Sequence, residues 1–337
     1  MSALISVDGL VKEFRKVKPH EGRLGSLRTL FTRRYEVNRA VDGVSFAIDE
    51  GELVGYLGPN GAGKSTTIKM MTGIVMPTGG TVRISGLDPW RERPCNAAQM
   101  GVVFGQRTQL WWDLPLRESF RLVGAIYGVS PADYRESLER FVDLLDLGEF
   151  IDRPVRQLSL GQRMRGDIAA AMLHRPRVVY LDEPTIGLDV VAKDRMRTFV
   201  EETSRAGETT IVLTTHDLAD VERLCPRVIL IDHGRVLYDG DVQGLKATYA
   251  THRELVVHLA PDESTGRTPA VRAADVLGAE IVSQEQGVAR IRFEASRIAV
   301  QHLIASVNQN YPVRDLSIVE PDLEGVVRRI YSEGLTP

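Results

Sequence analysis

The sequence is poor in cysteine and has no long apolar run. Cys95 and Cys225 are its two cysteines, and they form neither a CxxC pair nor a metal-ligand cluster. No disulfide or zinc framework is therefore expected, and a reducing compartment fits best. No stretch approaches the roughly 18 uninterrupted apolar residues that a transmembrane helix requires. We expect a chain that is soluble by itself and that can sit on a membrane through a partner protein.

A strong excess of charge of one sign is also missing. The 42 Lys and Arg residues nearly balance the 45 Asp and Glu residues, so the formal net charge is −3. This balance gives no general basis for binding nucleic acid, and we expect no nucleic-acid partner. With 43% hydrophobic and 26% charged residues, the chain has the composition of an ordinary globular protein. Its 337 residues predict roughly two domains.

Short β-branched runs alternate with helical stretches from Ala40 to Asp239. This alternation predicts an α/β domain with a mainly parallel sheet. The five predicted strands are residues 52–57, 101–104, 178–181, 210–214 and 228–231. A helical insertion at residues 116–147 separates the second strand from the third. Within it, Ser130, Pro131 and Asp133 form a capping-box pattern that starts a helix.

The pattern changes after residue 241. Shorter alternating runs at residues 255–259, 288–293 and 316–319 are accompanied by a helix near 296–307 and a last helix from Asp322. These elements predict a small second domain of the α+β class. The predicted domains are therefore residues 1–240 and 241–337.

A glycine-rich phosphate-binding loop follows the first predicted strand. Residues 58–66 match the pattern GxxxxGK[ST] between an apolar strand and a helix. Glycine lets backbone N–H groups turn inward around phosphate oxygens, and the helix N-terminus adds partial positive charge. Lys64 would reach the β- and γ-phosphates, and the Ser65 hydroxyl would bind Mg²⁺. The predicted nucleotide contacts are Gly58, Pro59, Asn60, Gly61, Ala62, Gly63, Lys64, Ser65 and Thr66.

Two adjacent carboxylates follow a later predicted strand. Asp182 and Glu183 come directly after the apolar run at residues 178–181. Asp182 can hold the Mg²⁺ shell, and Glu183, on the other side of the strand, can orient or deprotonate an attacking water. The alternative is a buried strand with two solvated acids at its tip. The phosphate-binding loop earlier in the chain favours nucleotide hydrolysis.

A third motif, Leu158-Ser159-Leu160-Gly161-Gln162, lies between the other two. With it, the sequence resembles the nucleotide-binding subunits of ATP-binding cassette (ABC) transporters over most of residues 40–240. Residues 158–162 match the family's signature loop, Gln106 matches its Q-loop, Gly187-Leu188-Asp189 its D-loop, and His216 its switch histidine. The resemblance implies a P-loop NTPase cassette with a helical subdomain at about residues 107–165.

The resemblance also implies that two copies pair head to tail and share each ATP. Ser159, Gly161 and Gln162 of one copy would close over the ATP held by the other. Asp189 would line the dimer interface, cap the following helix, or do both. The implied catalytic residues are Glu183, His216, Lys64 and Gln106, and the implied Mg²⁺ ligands are Ser65, Gln106 and Asp182. Leu160 departs from the family pattern, in which a second glycine is usual, and its side chain restricts the loop.

In the family, an aromatic residue before the phosphate-binding loop stacks on adenine. Tyr35 is the favoured residue for this contact and Phe14 is its rival, with core packing as the alternative for either ring. Between them lies an insertion, about residues 15–34, that is rich in Lys and Arg and has apolar residues on one helical face. It predicts a basic amphipathic helix that meets lipid headgroups or a membrane partner, or else covers the sheet edge.

Two further segments bear on partners. Trp111 and Trp112 follow the Q-loop, where relatives receive a permease, so they would contact that partner or pack inside the helical insertion. Residues 321–327 resemble the closing motif of subunits from exporters with separate six-helix permeases.

We therefore expect an ATPase with ATP and Mg²⁺ as cofactors that powers export through separate permease subunits. It would pair with a second copy of itself at the cytoplasmic face of the cell membrane. The alternatives are a soluble cassette ATPase that acts on nucleic acid or ribosomes, and a small-molecule P-loop kinase.

Overall fold

The computed structural model describes residues 3–17, 35–105, 107–249, 252–261, 268–276, 278–294, 297–320 and 322–333. The chain divides into two compact units, Met1–Gly240 and Asp241–Pro337. Each unit has its own hydrophobic core. The motifs for nucleotide chemistry all lie in the first unit.

A six-stranded sheet forms the centre of the first unit. Its strands are β3 (Leu53–Leu57), β5 (Met100–Phe104), β6 (Val178–Asp182), β7 (Thr210–Thr214), β8 (Arg227–Asp232) and β9 (Arg235–Asp241). Their order is β5-β6-β7-β3-β8-β9, and the first five of these pair in parallel. Strands β3 and β7 are buried along their whole length, which explains their continuous apolar sequence. The predicted mainly parallel sheet is confirmed, and its predicted strands are shifted by at most one residue at either end.

Helices connect these strands in the first unit. They are α1 (Lys64–Met71), α2 (Arg93–Ala98), α3 (Leu116–Ile126), α4 (Pro131–Leu144), α5 (Leu160–Met172), α6 (Val190–Ala206) and α7 (Leu218–Leu224). The predicted cap of α4 is present, since the side chain of Ser130 accepts a hydrogen bond from the backbone N–H of Asp133 at 3.2 Å. Across the described ranges, every helix is too short or too polar to traverse a bilayer.

A second, antiparallel sheet in the first unit is not among the predicted elements. It contains β1 (Ile5–Val17), β2 (Tyr35–Ile48) and β4 (Gly79–Ile84) in the order β2-β1-β4. Residues 15–17 belong to β1, so the insertion predicted at about 15–34 begins with strand residues. Residues 18–34 of that insertion lie outside the described residues.

The second unit contains a four-stranded antiparallel sheet. Its strands are β10 (His252–Leu259), β11 (Glu280–Glu285), β12 (Val288–Glu294) and β13 (Val313–Val319), in the order β11-β12-β10-β13. Its helices are α8 (Val242–Tyr249), α9 (Val300–Asn310) and α10 (Leu323–Glu333). Strand β11 was not predicted because four of its six residues are exposed. The helix predicted near residues 296–307 begins four residues later and ends three residues later than expected.

Candidate functional site

Three glycines shape the loop between β3 and α1. A Cβ on Gly58 would lie 2.5 Å from the carbonyl oxygen of Ile231, and a Cβ on Gly63 would lie 2.5 Å from that of Ala40, so both positions exclude a side chain. Gly61 has open space around it but a φ of 86°, a conformation that favours glycine. No side chain caps α1 after Gly63, so the N–H groups of its first turn are available to an anion.

The ammonium group of Lys64 lies over this loop. Its Nζ donates hydrogen bonds to the carbonyl oxygens of Gly58 at 2.5 Å and Pro59 at 3.2 Å. Burial lowers the pKa of Lys64, and the nearby carboxylates of Glu183 and Asp182 oppose that shift. The lysine and both carboxylates therefore share one electrostatic environment.

Thr214 holds the two carboxylate residues at the end of β6. Its hydroxyl donates to Oδ1 of Asp182 at 2.6 Å and accepts from the backbone N–H of Glu183 at 3.1 Å. The same N–H lies 3.0 Å from the carbonyl oxygen of Thr214. Glu183 has a φ of 57°, which is uncommon for a residue with a side chain and turns the backbone sharply at the end of the strand.

The side chain of Glu183 contacts His216. The distance from His216 Nε2 to Glu183 Oε1 is 2.6 Å. Glu183 follows β6 and His216 follows β7, and these strands are parallel neighbours in the sheet. The topology thus brings a carboxylate and an imidazole to the same sheet edge, where acid–base chemistry on a water or a phosphate is possible.

Ser159 caps the N-terminus of α5. Its hydroxyl accepts from the backbone N–H of Gln162 at 3.2 Å, and its own N–H donates to Oε1 of Gln162 at 3.0 Å. This capping box fixes the start of the helix. The described hydrogen bonds of Ser159 remain within this turn, so they do not join it to the phosphate-binding loop of the same chain.

Leu160 is accommodated by a glycine in the D-loop. A Cβ on Gly187 would lie 2.9 Å from Cδ2 of Leu160, and Gly187 has a φ of 70°. Leu160 therefore packs against a position without a side chain, and it remains 38% exposed. The signature loop and the D-loop are in direct contact.

Asp189, two residues after Gly187, caps α6. Its Oδ1 accepts a hydrogen bond from the backbone N–H of Ala192 at 2.8 Å.

Two predicted site residues lie partly or wholly outside the described structure. Gln106 is outside the described residues, and nothing of the side chain of Tyr35 is described. The backbone of Tyr35 begins β2, opposite Val17. Its rival, Phe14, is 42% exposed, and Lys12 Nζ lies 5.2 Å from the centre of its ring. Core packing is therefore wrong for Phe14.

Trp111 and Trp112 are on the surface of the helical insertion. They are 38% and 49% exposed, so core packing is also wrong for these two rings. The guanidinium of Arg163, on α5, lies 5.3 Å from the centre of the Trp112 ring. The backbone N–H of Arg156 donates to the carbonyl oxygen of Trp112 at 2.9 Å.

The donor atoms suit Mg²⁺ bound together with a nucleotide. Among the residues that the structure covers, no group of three or more His, Cys, Asp or Glu side chains is arranged to hold a metal ion. Ser65 and Asp182 instead offer a hydroxyl and a carboxylate, and Mg²⁺ takes such oxygen ligands when phosphates and waters complete its shell. The residues present therefore fit this ion.

Sequence reasoning missed two side chains that organise the site. One is Thr214, described above. The other is Asp167 on α5, which accepts hydrogen bonds at 2.9 Å from the hydroxyl of Thr108 and from the backbone N–H of Gln109. Neither residue belongs to a short motif, and each acts on residues distant in sequence.

Comparisons with known proteins point to one family. Residues 41–186 match the sequence profile of a family described as ABC transporter. The chain is 34% identical over 294 residues to the daunorubicin/doxorubicin resistance ATP-binding protein DrrA of Streptomyces peucetius, covering 87% of this chain and 88% of that protein. It is 37% identical over 220 residues to the Nod factor export ATP-binding protein I of Paraburkholderia xenovorans, covering 64% and 70%, respectively.

Solved structures are similar as well. The structure of an ATP-binding subunit of an ABC transporter covers 73% of this chain, with 93% of that subunit matched, 27% sequence identity and a TM-score of 0.62. The dimeric structure of MJ0796, a bacterial ABC transporter cassette, covers 71% of this chain, with 98% of the cassette matched, 25% identity and a TM-score of 0.58. These matches confirm the predicted cassette fold.

Proposed function

Because this chain belongs to the ABC transporter family of ATP-binding proteins, we propose that it hydrolyses ATP to drive export through separate membrane permeases. Family membership confirms the resemblance that the motifs indicated. The observation that carries the proposal is the convergence of Lys64, Asp182, Glu183 and His216 at the carboxyl edge of one parallel sheet.

In the proposed reaction, the chain's own residues bind the triphosphate and activate water. The N–H groups of the loop at residues 58–66 and the ammonium of Lys64 hold the β- and γ-phosphates. Glu183 orients the attacking water and accepts its proton, and His216 donates a hydrogen bond to a γ-phosphate oxygen. Ser65, Gln106 and Asp182 would hold Mg²⁺, which neutralises charge on the phosphates.

Each ATP site is proposed to be shared by two copies of the chain. Ser159, Gly161 and Gln162 lie at the start of α5, where a helix N-terminus favours an anion, and Ser159 is exposed. One chain already has a complete loop for its own triphosphate, so this second anion-binding end is available to the nucleotide of a partner copy. The dimeric structure of a related cassette supports the pairing of two copies. In the proposed dimer, Asp189 and the D-loop lie at the interface, and Tyr35 or Phe14 stacks on the adenine.

Export is supported by the names of the relatives. DrrA is a drug-resistance ATP-binding protein, and another relative is named for Nod factor export. The exposed pair Trp111–Trp112 offers large aromatic surface to a permease at the cytoplasmic face of a membrane. Residues 1–240 would then be the ATP-binding domain, and residues 241–337 an accessory or regulatory domain.

A mixture of two inactive variants tests the shared sites. Lys64→Ala removes the phosphate contact, and Ser159→Arg blocks the N-terminus of α5. Each variant alone is therefore expected to lose turnover. In a mixed dimer, one of the two sites combines an intact Lys64 with an intact Ser159. Mixing equal amounts should restore measurable turnover, up to about a quarter of wild type, because half of the dimers are mixed and each has one complete site. No recovery would contradict the shared sites.

Ser130→Arg is the matched control, because Ser130 caps a helix of the same unit in the same way but lies in the helical insertion. This variant should keep full turnover. Transport itself is tested by purification from membranes: a multi-span protein that co-purifies supports export, whereas nucleic acid or ribosomes in its place support the soluble alternative.

A further inference from the structure

The segment that follows the Q-loop lies along the signature helix α5. Asp167, on α5, is 4% exposed and accepts hydrogen bonds at 2.9 Å from the Thr108 hydroxyl and from the Gln109 N–H. The side-chain amide of Gln109 returns a hydrogen bond to the carbonyl oxygen of Asp167 at 2.9 Å. Three hydrogen bonds therefore join two consecutive residues of the segment to one residue of the helix.

Apolar and cationic contacts extend this attachment along the part of α5 that precedes Asp167. A Cβ on Gly166 would lie 2.8 Å from Leu116 and 3.2 Å from Leu110, so this glycine lets both leucines approach the helix. One turn before Asp167, the guanidinium of Arg163 lies 5.3 Å from the centre of the Trp112 ring. The segment 108–112 is thus held on one face of α5.

The other flank of the Q-loop is joined to the backbone of the two carboxylate residues, Asp182 and Glu183. The backbone N–H of Gly105 donates to the carbonyl oxygen of Asp182 at 2.8 Å. A Cβ on Gly105 would lie 2.4 Å from the carbonyl oxygen of Glu183, so only glycine fits there. The residue before Gln106 is therefore tied to the catalytic strand, and the residues two and three positions after it are tied to the signature helix.

We propose that Asp167 is a positioning residue that couples the two ATP sites of the dimer. The inference rests on the proposed function, in which Gln106 belongs to the chain's own ATP site and Ser159 to the partner's. Ser159 stands eight residues before Asp167 at the start of the same helix, about 12 Å away along a rigid axis. A shift of the Q-loop on binding ATP is therefore transmitted through Asp167 to the end of α5 that meets the other ATP.

The test is the cooperativity of ATP hydrolysis by the full chain. Wild type should show a Hill coefficient clearly above 1 and at most about 2, as expected of two coupled sites. Asp167→Ala should lower the Hill coefficient to about 1. The dissociation constant of ATP for the monomeric chain should change by less than about twofold. Asp167→Asn removes the charge but keeps the Oδ1 acceptor, so it should retain the wild-type Hill coefficient. If the buried charge itself were responsible, Asp167→Asn would lower the coefficient as Asp167→Ala does.

Asp220→Asn provides a matched control. Asp220 is 1% exposed, belongs to α7 of the same unit and pairs with Arg197. Its substitution should lower stability yet leave cooperativity intact. Thr108→Val removes one hydrogen bond to Asp167 and should lower cooperativity part of the way, with no further loss when combined with Asp167→Ala.

Two results would overturn the inference, and they are distinguishable. If wild type is cooperative and a folded Asp167→Ala variant is equally cooperative, the coupling role of Asp167 is wrong while the shared sites stand. If wild type itself has a Hill coefficient of about 1 and turnover independent of chain concentration, the shared sites and the inference both fail.

Discussion

Nε2 of His216 lies 2.6 Å from Oε1 of Glu183, across the carboxyl ends of two parallel strands. The contact orients both side chains. A carboxylate at this position can accept a proton from an attacking water. The pair therefore places a proton acceptor and an imidazole together at this edge of the sheet.

Glu183→Gln should nearly abolish hydrolysis while leaving ATP binding intact. Glutamine keeps the shape and the Oε1 acceptor but cannot take the proton from water, so kcat should fall by about 10²–10⁴-fold. The loss is measured as single-turnover hydrolysis, alongside the affinity for ATP and the dimer fraction in its presence. The dimer should persist, because the closing contacts remain and their release requires cleavage.

Glu201→Gln is a suitable control for this variant. Glu201 lies on α6 and pairs with Arg223, away from the phosphate-binding loop. Its substitution should leave kcat within about twofold of wild type, since exposed ion pairs contribute little. Wild-type turnover by Glu183→Gln would remove Glu183 from its assigned role.

Thr214→Val should reduce turnover more than ATP affinity. The Thr214 hydroxyl donates to Asp182 and accepts from the N–H of Glu183, and valine has nearly the same shape without either bond. A hydrogen bond to a charged group contributes about 1.5–3 kcal/mol, so kcat should fall by at least about 10-fold. Thr214→Ser keeps the hydroxyl and should retain most of the activity.

Thr210→Val separates the local effect from a general weakening of β7. Thr210 begins the same strand, and its hydroxyl accepts from the N–H of Gly51, far from the carboxylates. This change should lower the thermal midpoint but leave kcat unchanged. Equal losses of kcat in the two valine variants would mean that Thr214 acts only through folding stability.

The parts of the fold that were predictable are those buried on both faces. Strands β3 and β7 are fully buried, so their continuous apolar sequence marks them clearly. The sequences of β1 and β4 show no such continuous apolar run. The register of β1 against β2 shifts between Val7 and Leu10, and four of the six residues of β4 are partly or fully exposed, so simple alternation is lost.

A similar distinction applies to the candidate site. The phosphate-binding loop, Ser159 and His216 stand in short motifs, and their chemistry can be proposed from residues that are neighbours in sequence. Thr214 reaches Asp182 across 32 positions, and Asp167 reaches Gln109 across 58. A threonine within a strand and an aspartate within a helix are ordinary residues, so only the tertiary structure reveals their partners.

Gly187→Ala should impair turnover through the signature loop. The new Cβ would lie 2.9 Å from Cδ2 of Leu160, and the backbone has a φ of 70° that alanine disfavours. Such strain costs about 1–3 kcal/mol, so we expect turnover to fall by about 10-fold with unchanged ATP binding by the separate chain. Steady-state turnover over a range of chain concentrations measures this effect.

Combining Gly187→Ala with Leu160→Ala tests whether the contact itself is responsible. Removing the leucine side chain relieves the overlap, so the double variant should be more active than Gly187→Ala alone. The remaining loss would reflect the positive φ. If the two effects simply add, Leu160 and Gly187 are not coupled, and the D-loop tolerates the departure at residue 160 for another reason.

Asp167 should also make the stability of the chain depend on pH. Burial raises the pKa of this carboxyl from 3.8 to about 6, while hydrogen bonds from Gln109 and Thr108 and the charge of Arg163 oppose the shift. A raised pKa means that the folded state binds the proton more tightly than the unfolded state. Its favourable contribution is therefore complete below about pH 4 and is lost as the pH rises through about 6.

The measurement compares wild type with Asp167→Asn, which is neutral at every pH. A shift of this size corresponds to about 3 kcal/mol, so the unfolding free energy of wild type relative to the variant should rise by up to that amount between about pH 7.5 and about pH 4. Urea unfolding of both proteins at each pH gives this difference, since titration of all other groups cancels. A difference that is constant with pH would show that the Asp167 carboxyl titrates in the folded protein as it does in the unfolded chain.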